Sequence, residues 1–158
     1  MKLREIVNER AIVPDLAATD RDDAIAELID ALIAADAVNG DRRDEFIAEI
    51  IMREQKGSTG FGHGVAVPHV KHADIDQMVV AIGVSRDGID FNSLDRQPVF
   101  SIFLVLSPDD RPEDHLDAME AIFGNLNQEV FRRFMRQATE VEHVTTLLDE
   151  FDARASVR

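Results

Sequence analysis

The sequence predicts an α/β fold of α+β topology: three layers, α/β/α, about a central mixed sheet, in the order strand, two helices, several strands, three helices. Three observations predict it. Apolar residues recur at i, i+3, i+4, i+7 and i+8 over Ile25, Leu28, Ile29, Leu32 and Ile33, the period of a helix with one buried face. Val99 to Leu106 is apolar at nearly every position, as in a strand covered on both faces. Tight turns such as Arg86-Asp87-Gly88 separate neighbouring strand candidates, so some pairs run antiparallel and the sheet is mixed.

Taken in order, Leu3 to Val7 reads as a helical turn, and Ala11 to Leu16 as a brief strand whose Pro14 suits an edge. Thr19 or Asp20 can cap the first long helix. Asp41 can open a second, with Phe46, Ile47, Ile50 and Ile51 on one side and Gly57 closing it. Glycines at 60, 62 and 64 then break up the chain before Val65-Ala66-Val67, a short buried strand stopped by Pro68. Met78 to Ser85 is strand-like, and Ile89 to Phe91 can return after the turn as a further strand. Pro112 suits the first position of a helix carrying Leu116, Met119 and Phe123. Asn127 can cap a helix with Val130, Phe131, Phe134 and Met135, and Thr139 a last one through Leu147 and Leu148.

The length of 158 residues suits a single domain, 1–158, with no linker or repeat to divide it. No apolar run is long enough to cross a bilayer, and Met1-Lys2-Leu3-Arg4 is not followed by an apolar leader. The expectation is a cytoplasmic protein with no direct membrane insertion. Cysteine is absent, which removes disulfides, thiolate metal sites and a cysteine nucleophile. A formal charge of −14 argues against a nucleic-acid partner, because a nonspecific grip on phosphates needs excess Lys and Arg. The same acidity favours encounter with a basic protein, and equally serves as a solvated surface.

Covalent or acid–base chemistry then falls to the five histidines, at 63, 69, 72, 115 and 143. His69 follows a buried strand and a proline, so its backbone is held where a sheet meets a loop. The glycines at 60, 62 and 64 allow close approach of backbone to a ligand, and Ser58 and Thr59 add hydroxyls, so a phosphate can be cradled there. A tight turn explains the same glycines equally well. The stretch is neither a Walker loop nor a dinucleotide fingerprint. His115 lies in the first turn of the Pro112 helix, where free amides and the helix dipole disfavour an imidazolium, so a neutral His115 can donate a hydrogen bond. A helix-start residue with no task remains the competing explanation.

The run Arg53-Glu54, Gly57-Ser58-Thr59-Gly60-Phe61-Gly62, Gly64-Val65-Ala66-Val67-Pro68-His69 and the later His115-Leu116 resembles the signature of enzyme IIA domains of the phosphoenolpyruvate-dependent phosphotransferase system, fructose/mannitol/nitrogen-regulatory class. The resemblance covers nearly the whole chain. It implies a phosphocarrier in which His69 takes a phosphoryl group from a histidine-containing phosphocarrier protein and hands it to a IIB component, or holds it as a regulatory signal to a target protein. His115 matches the second active-site histidine, Arg53 an arginine near the site whose charge offsets the phosphoryl group, and Ser58 and Thr59 positions beside the phosphohistidine that can donate hydrogen bonds. No metal and no cofactor is implied. The 158 residues include no fused IIB, IIC or phosphocarrier segment, which leans toward a free-standing regulatory role.

Two positions depart from the pattern. Val70 stands where glycine is frequent after Pro-His, and His63 where asparagine or another polar residue is common; both bear on how partners dock. His63, His69 and His72 fall close together in sequence but match no strong zinc spacing.

Overall fold

The computed structural model describes residues 1–156, so the last two positions of the expected 1–158 domain lie outside the described residues. One helical turn, α1 (Leu3–Ile6), runs directly into strand β1 (Val7–Val13). The backbone N–H groups of Leu3 and Arg4 donate to Asp152 at 2.8 and 2.9 Å, so a carboxylate near the other end of the chain satisfies the orphan amides of α1. The strand starts earlier than the sequence suggests and stops at Val13, before Pro14. It lies at an edge of the sheet, as expected for a strand bounded by proline.

Helix α2 (Arg21–Ala34) is capped by Asp20, whose carboxylate accepts from the Asp23 amide at 2.8 Å. Helix α3 (Arg43–Lys56) starts two residues after Asp41, because Asn39 takes the Asp41 amide at 2.9 Å and winds Gly40–Arg42 as a 3-10 turn first. Strands β2 (Gly60–Gly62), β3 (Val65–Ala66), β4 (His69–His72), β5 (Val79–Ile89) and β6 (Val99–Pro108) follow. Helices α4 (Pro112–Leu126), α5 (Glu129–Gln137) and α6 (Val141–Ser156) complete the chain. Among the described residues, no helix is long and apolar enough to cross a membrane.

The sheet order is β1-β5-β6-β3-β2, and β4 also pairs with β6. β1 is parallel to β5, β5 antiparallel to β6, and both β3 and β4 are parallel to β6, so the sheet is mixed. Side chains alternate across it with period two. Val80, Ile82, Val84, Phe103 and Val105 pack on one face with α1, α4, α5 and α6. Val79, Ala81, Ile102, Leu104 and Leu106 pack on the other with α2 and α3. The expected three-layer arrangement is the observed one.

Three local expectations need correction. The segment Arg86-Asp87-Gly88 is a bulge within β5 and not a hairpin: the strand continues to Ile89, which pairs with Val99 after a register shift. Gly88 at φ 88 and the Ser85 hydroxyl, which accepts the Gly88 amide at 3.1 Å, absorb the extra residues. In α4 the fully buried stripe is His115, Ala118, Ile122 and Leu126; of the apolar residues read from the sequence, Met119 and Phe123 pack partly buried against the core beside it, while Leu116 does not. Leu116 is 61% exposed, because small Ala118 lets the helix approach the sheet on the neighbouring stripe. Finally, Asn127 closes α4 and Gln128 occupies the N-cap position of α5.

Candidate functional site

His69 is the first residue of β4, set directly after Val67-Pro68, where the chain leaves β3 and rejoins the same edge of β6 opposite Val105. Proline supplies no amide to the ladder there, but its carbonyl accepts from Val105 N–H at 2.9 Å, so the backbone stays fastened through the interruption. The half-buried ring of His69 comes to rest with Nδ1 at 2.8 Å from the Val67 carbonyl. A carbonyl can only accept, so Nδ1 carries the proton and Nε2 keeps a bare lone pair.

His115 reaches the same place from beyond the C-terminal end of β6, the end beside which β4 lies. The strand ends at Ser107-Pro108, a short loop follows, and Pro112 opens α4 with His115 in its first turn. The imidazole is buried, with Nδ1 at 2.7 Å from the hydroxyl of Ser107. The two rings lie with centroids 5.5 Å apart and planes inclined by 48°. Sequence positions 46 residues apart are thereby brought together.

Both imidazoles are biased toward the neutral form. Burial pushes the pKa of His69 down, with the Arg53 guanidinium and Lys71 ammonium acting in the same direction; the Val67 carbonyl and the Glu54 carboxylate oppose them. For His115, burial first, then His69 and Lys71, bring the value down to about 4. Neutral rings suit a nucleophile and a hydrogen-bond donor, respectively.

The α3–β2 corner supports the pair. Arg53, in the last turn of α3, donates from Nη1 to the Gly57 carbonyl at 2.7 Å, which anchors the side chain while leaving its other N–H groups uncommitted among the described residues. Glu54, only 3% exposed, accepts from the Thr59 amide at 3.1 Å and from the Thr59 hydroxyl. The Ser58 hydroxyl donates to the Phe91 carbonyl at 2.7 Å and accepts the Gly60 amide at 3.0 Å. Both hydroxyls thus already hold the glycine-rich corner in shape. The Gly62 and Gly64 conformations, φ 117 and 77, turn β2 back onto β3, and His63 adopts φ 60 between them.

The three clustered histidines diverge. His63 lines a cavity of about 810 Å³ with Gln97, Phe100 and arginines of α5. His72 directs Nε2 to Glu45 at 3.1 Å, with Glu49 at 3.7 Å. Its Nδ1 accepts the Asp74 amide at 2.9 Å, which puts the ring proton on Nε2, the nitrogen that a cation between Glu45 and Glu49 would need. His72 and Glu45 thus form a hydrogen-bonded pair, while the buried Oε2 of Glu49 beside them has no hydrogen-bond partner among the described residues.

Three residues at the site received no role from sequence reasoning. Glu54 was visible only as half of the Arg53-Glu54 pair. Lys71 stands two residues after His69, and alternation along a strand would have put both on one face. Ser107 lies eight residues before His115, across a loop, and no local pattern links them.

The family model described as "Phosphoenolpyruvate-dependent sugar phosphotransferase system, EIIA 2" matches residues 5–151. The chain belongs to that family. It is 33% identical over 130 residues to the "PTS system fructose-specific EIIA component" of Haloferax volcanii, covering 82% of this chain and 83% of the relative. It is 28% identical over 152 residues to the "PTS system fructose-specific EIIABC component" of Bacillus subtilis; the match takes in 96% of this chain but spans only 24% of that relative's length. The crystal structure of "Nitrogen Regulatory Protein IIA-Ntr from Neisseria meningitidis" superposes with a TM-score of 0.82 at 28% identity, covering 91% of this chain and 97% of the other. A role as a phosphotransferase-system component follows from the family.

Proposed function

We propose that this chain accepts a phosphoryl group on Nε2 of His69 from a histidine-containing phosphocarrier protein and passes it to a IIB component or displays it to a regulatory target. The observation that carries this reading is the 2.8 Å bond from Nδ1 of His69 to the Val67 carbonyl, with the His115 ring beside it at 5.5 Å between ring centroids. One nitrogen of the nucleophile is committed to the backbone and the other is bare.

In the transfer, the Nε2 lone pair forms a P–N bond as the P–N bond of the donor phosphohistidine breaks, and the donor ring recovers its lone pair. The Nδ1 proton stays in place on the bond to Val67. Onward transfer reverses these steps toward the acceptor. A loose phosphoryl transition state needs mainly in-line positioning and donors around the equatorial oxygens. His115 supplies one such donor and the anchored guanidinium of Arg53 offsets charge. Ser58 and Thr59 support the corner beside the phosphoryl group; their hydroxyls reach it only by giving up the bonds to Phe91 and Glu54. No cofactor enters this chemistry. A cytoplasmic location belongs to the same reading, and protein rather than nucleic-acid partners fit the formal charge of −14.

A regulatory reading, in which the phosphorylation state is sensed by a target without onward transfer, is supported by the likeness to the Neisseria nitrogen regulatory protein. The test is incubation with phosphoenolpyruvate and the donor chain, followed by location of acid-labile phosphate by mass spectrometry. His69→Ala should abolish labelling, and His115→Ala should leave slower uptake. Equal labelling of wild type and His69→Ala refutes the assignment. A chase with a IIB component then separates the two readings, since a purely regulatory protein retains its label.

A further inference from the structure

The hydroxyl of Ser107 is fully buried, and among the described residues its one hydrogen-bond partner is Nδ1 of His115 at 2.7 Å. Only two arrangements of protons are open to this pair while the imidazole is neutral. If Nδ1–H donated to the serine oxygen, the hydroxyl proton would be left in the interior with no acceptor, which carries a desolvation penalty. If the hydroxyl donates to a bare Nδ1, the pair is satisfied and the ring proton must sit on Nε2. The second arrangement leaves no buried donor orphaned.

We propose that Ser107 is a positioning residue for phosphoryl transfer, its buried hydroxyl donating to Nδ1 of His115 and so holding that ring in the tautomer whose Nε2–H is free to bond a phosphoryl oxygen. This rests on the reading of His69 as phosphoryl acceptor. The two active-site rings are then set to opposite tautomers by two different devices. The Val67 carbonyl, which can only accept, holds the proton of His69 on Nδ1 and bares Nε2. The Ser107 hydroxyl, which has a proton to place, bares Nδ1 of His115 and leaves the proton on Nε2. One ring offers a lone pair and its neighbour a donor. Exchanging the tautomer of His115 would instead present a lone pair to an incoming dianion and repel it.

Burial supports the assignment from a second side. His115 is 6% exposed and its protonated form is disfavoured, so the ring cannot obtain a donor on both nitrogens by taking up a proton near neutral pH. Its ability to donate then depends on which nitrogen carries the single proton, and Ser107 decides that.

The test uses the full chain with 15N-labelled histidine, unphosphorylated and at neutral pH, in two-dimensional 15N–1H spectra that report which ring nitrogen is protonated. Wild type should show His115 protonated on Nε2. Ser107→Ala should give a mixture of tautomers, and its labelling by the phosphorylated donor should slow about three- to tenfold, the worth of one hydrogen bond. Ser107→Cys, nearly isosteric and with a weak donor, should lie between the two in both measurements. Protonation of wild-type His115 on Nδ1 overturns the proposal, and this needs no variant to fold. So does an unchanged tautomer population in Ser107→Ala. If wild type takes up no phosphate while His115 holds its proton on Nε2, it is the His69 reading that fails. If wild type is labelled on His69 and Ser107→Ala changes neither tautomer nor rate, the Ser107 role fails alone.

Discussion

The carbonyl of Val67 and Nδ1 of His69 lie 2.8 Å apart, two residues along the chain, and this contact determines which imidazole nitrogen is left bare. The residues on either side of this contact are fastened to neighbouring backbone, since the Val67 amide donates to Thr59 and the Pro68 carbonyl accepts from Val105. Backbone geometry, and not a second side chain, therefore orients the ring proposed as the nucleophile.

The neutrality of His115 has a cost on acidification. Its pKa moves from 6.5 in the unfolded chain to about 4 when folded, so between these values the unfolded state binds more protons. Stability is full above about pH 6.5 and falls as the pH drops toward 4, by on the order of 3 kcal/mol for this one ring. His69, also lowered, acts with the same sign. Urea unfolding of wild type and His115→Asn should diverge in slope across that window, the variant being the less pH-sensitive. Parallel curves would remove His115 as a cause.

Arg53 adds positive charge beside His69. Removing it in Arg53→Ala should raise the pKa of His69, read by NMR titration, and slow phosphorylation roughly tenfold through loss of a charge-assisted contact. Arg53→Lys should restore the pKa but only part of the rate, since an ammonium lacks the planar fork. An unshifted His69 titration in Arg53→Ala would show that the guanidinium does not act on the ring.

Glu54 holds the glycine-rich corner from inside. Glu54→Ala leaves the Thr59 amide and hydroxyl without partners in a buried setting, with an expected loss of about 2 kcal/mol. Hydrogen exchange at the Thr59 amide should accelerate more than exchange in β5. Uniform acceleration would assign the loss to the whole fold.

Gly88 and Gly124 make a matched pair of tests. At Gly88, φ is 88 and an added Cβ would lie 2.8 Å from Cβ of Pro98 and 3.0 Å from Cε1 of Phe100, so Gly88→Ala should cost about 1–3 kcal/mol. At Gly124, inside α4, an added Cβ meets nothing within 4 Å, so Gly124→Ala should stabilise by about 0.5–1 kcal/mol. Denaturant midpoints of the two variants should move in opposite directions.

Much of the fold was legible because long elements repeat their signal. The period of α2 and the unbroken apolar run of β6 each bury enough residues to be read locally. Short elements were legible only in part: the turn at Leu3 to Val7 and the strand Val65-Ala66-Val67 showed in the local apolar residues, whereas β2 and β4 carry too few side chains for a period and exist only because neighbouring backbone offers them partners. The phase of α4 also escaped, since its two adjacent stripes are both part apolar and only contact with the sheet selects the one containing His115 and Ala118.

The sequence by itself determined the layers of this protein, the helix and strand inventory of its core, and the residue types and motif order that mark His69 and His115. These follow from local periodicity and from side chains whose chemistry does not depend on their neighbours. Only the tertiary structure decided that the two rings meet, that Val67 and Ser107 hold Nδ1 of each from opposite donor senses, and that Ser58 and Thr59 spend their hydroxyls on Phe91 and Glu54. Hydrogen bonds act over about 3 Å in space regardless of separation along the chain, so their partners are set by where the sheet brings the backbone.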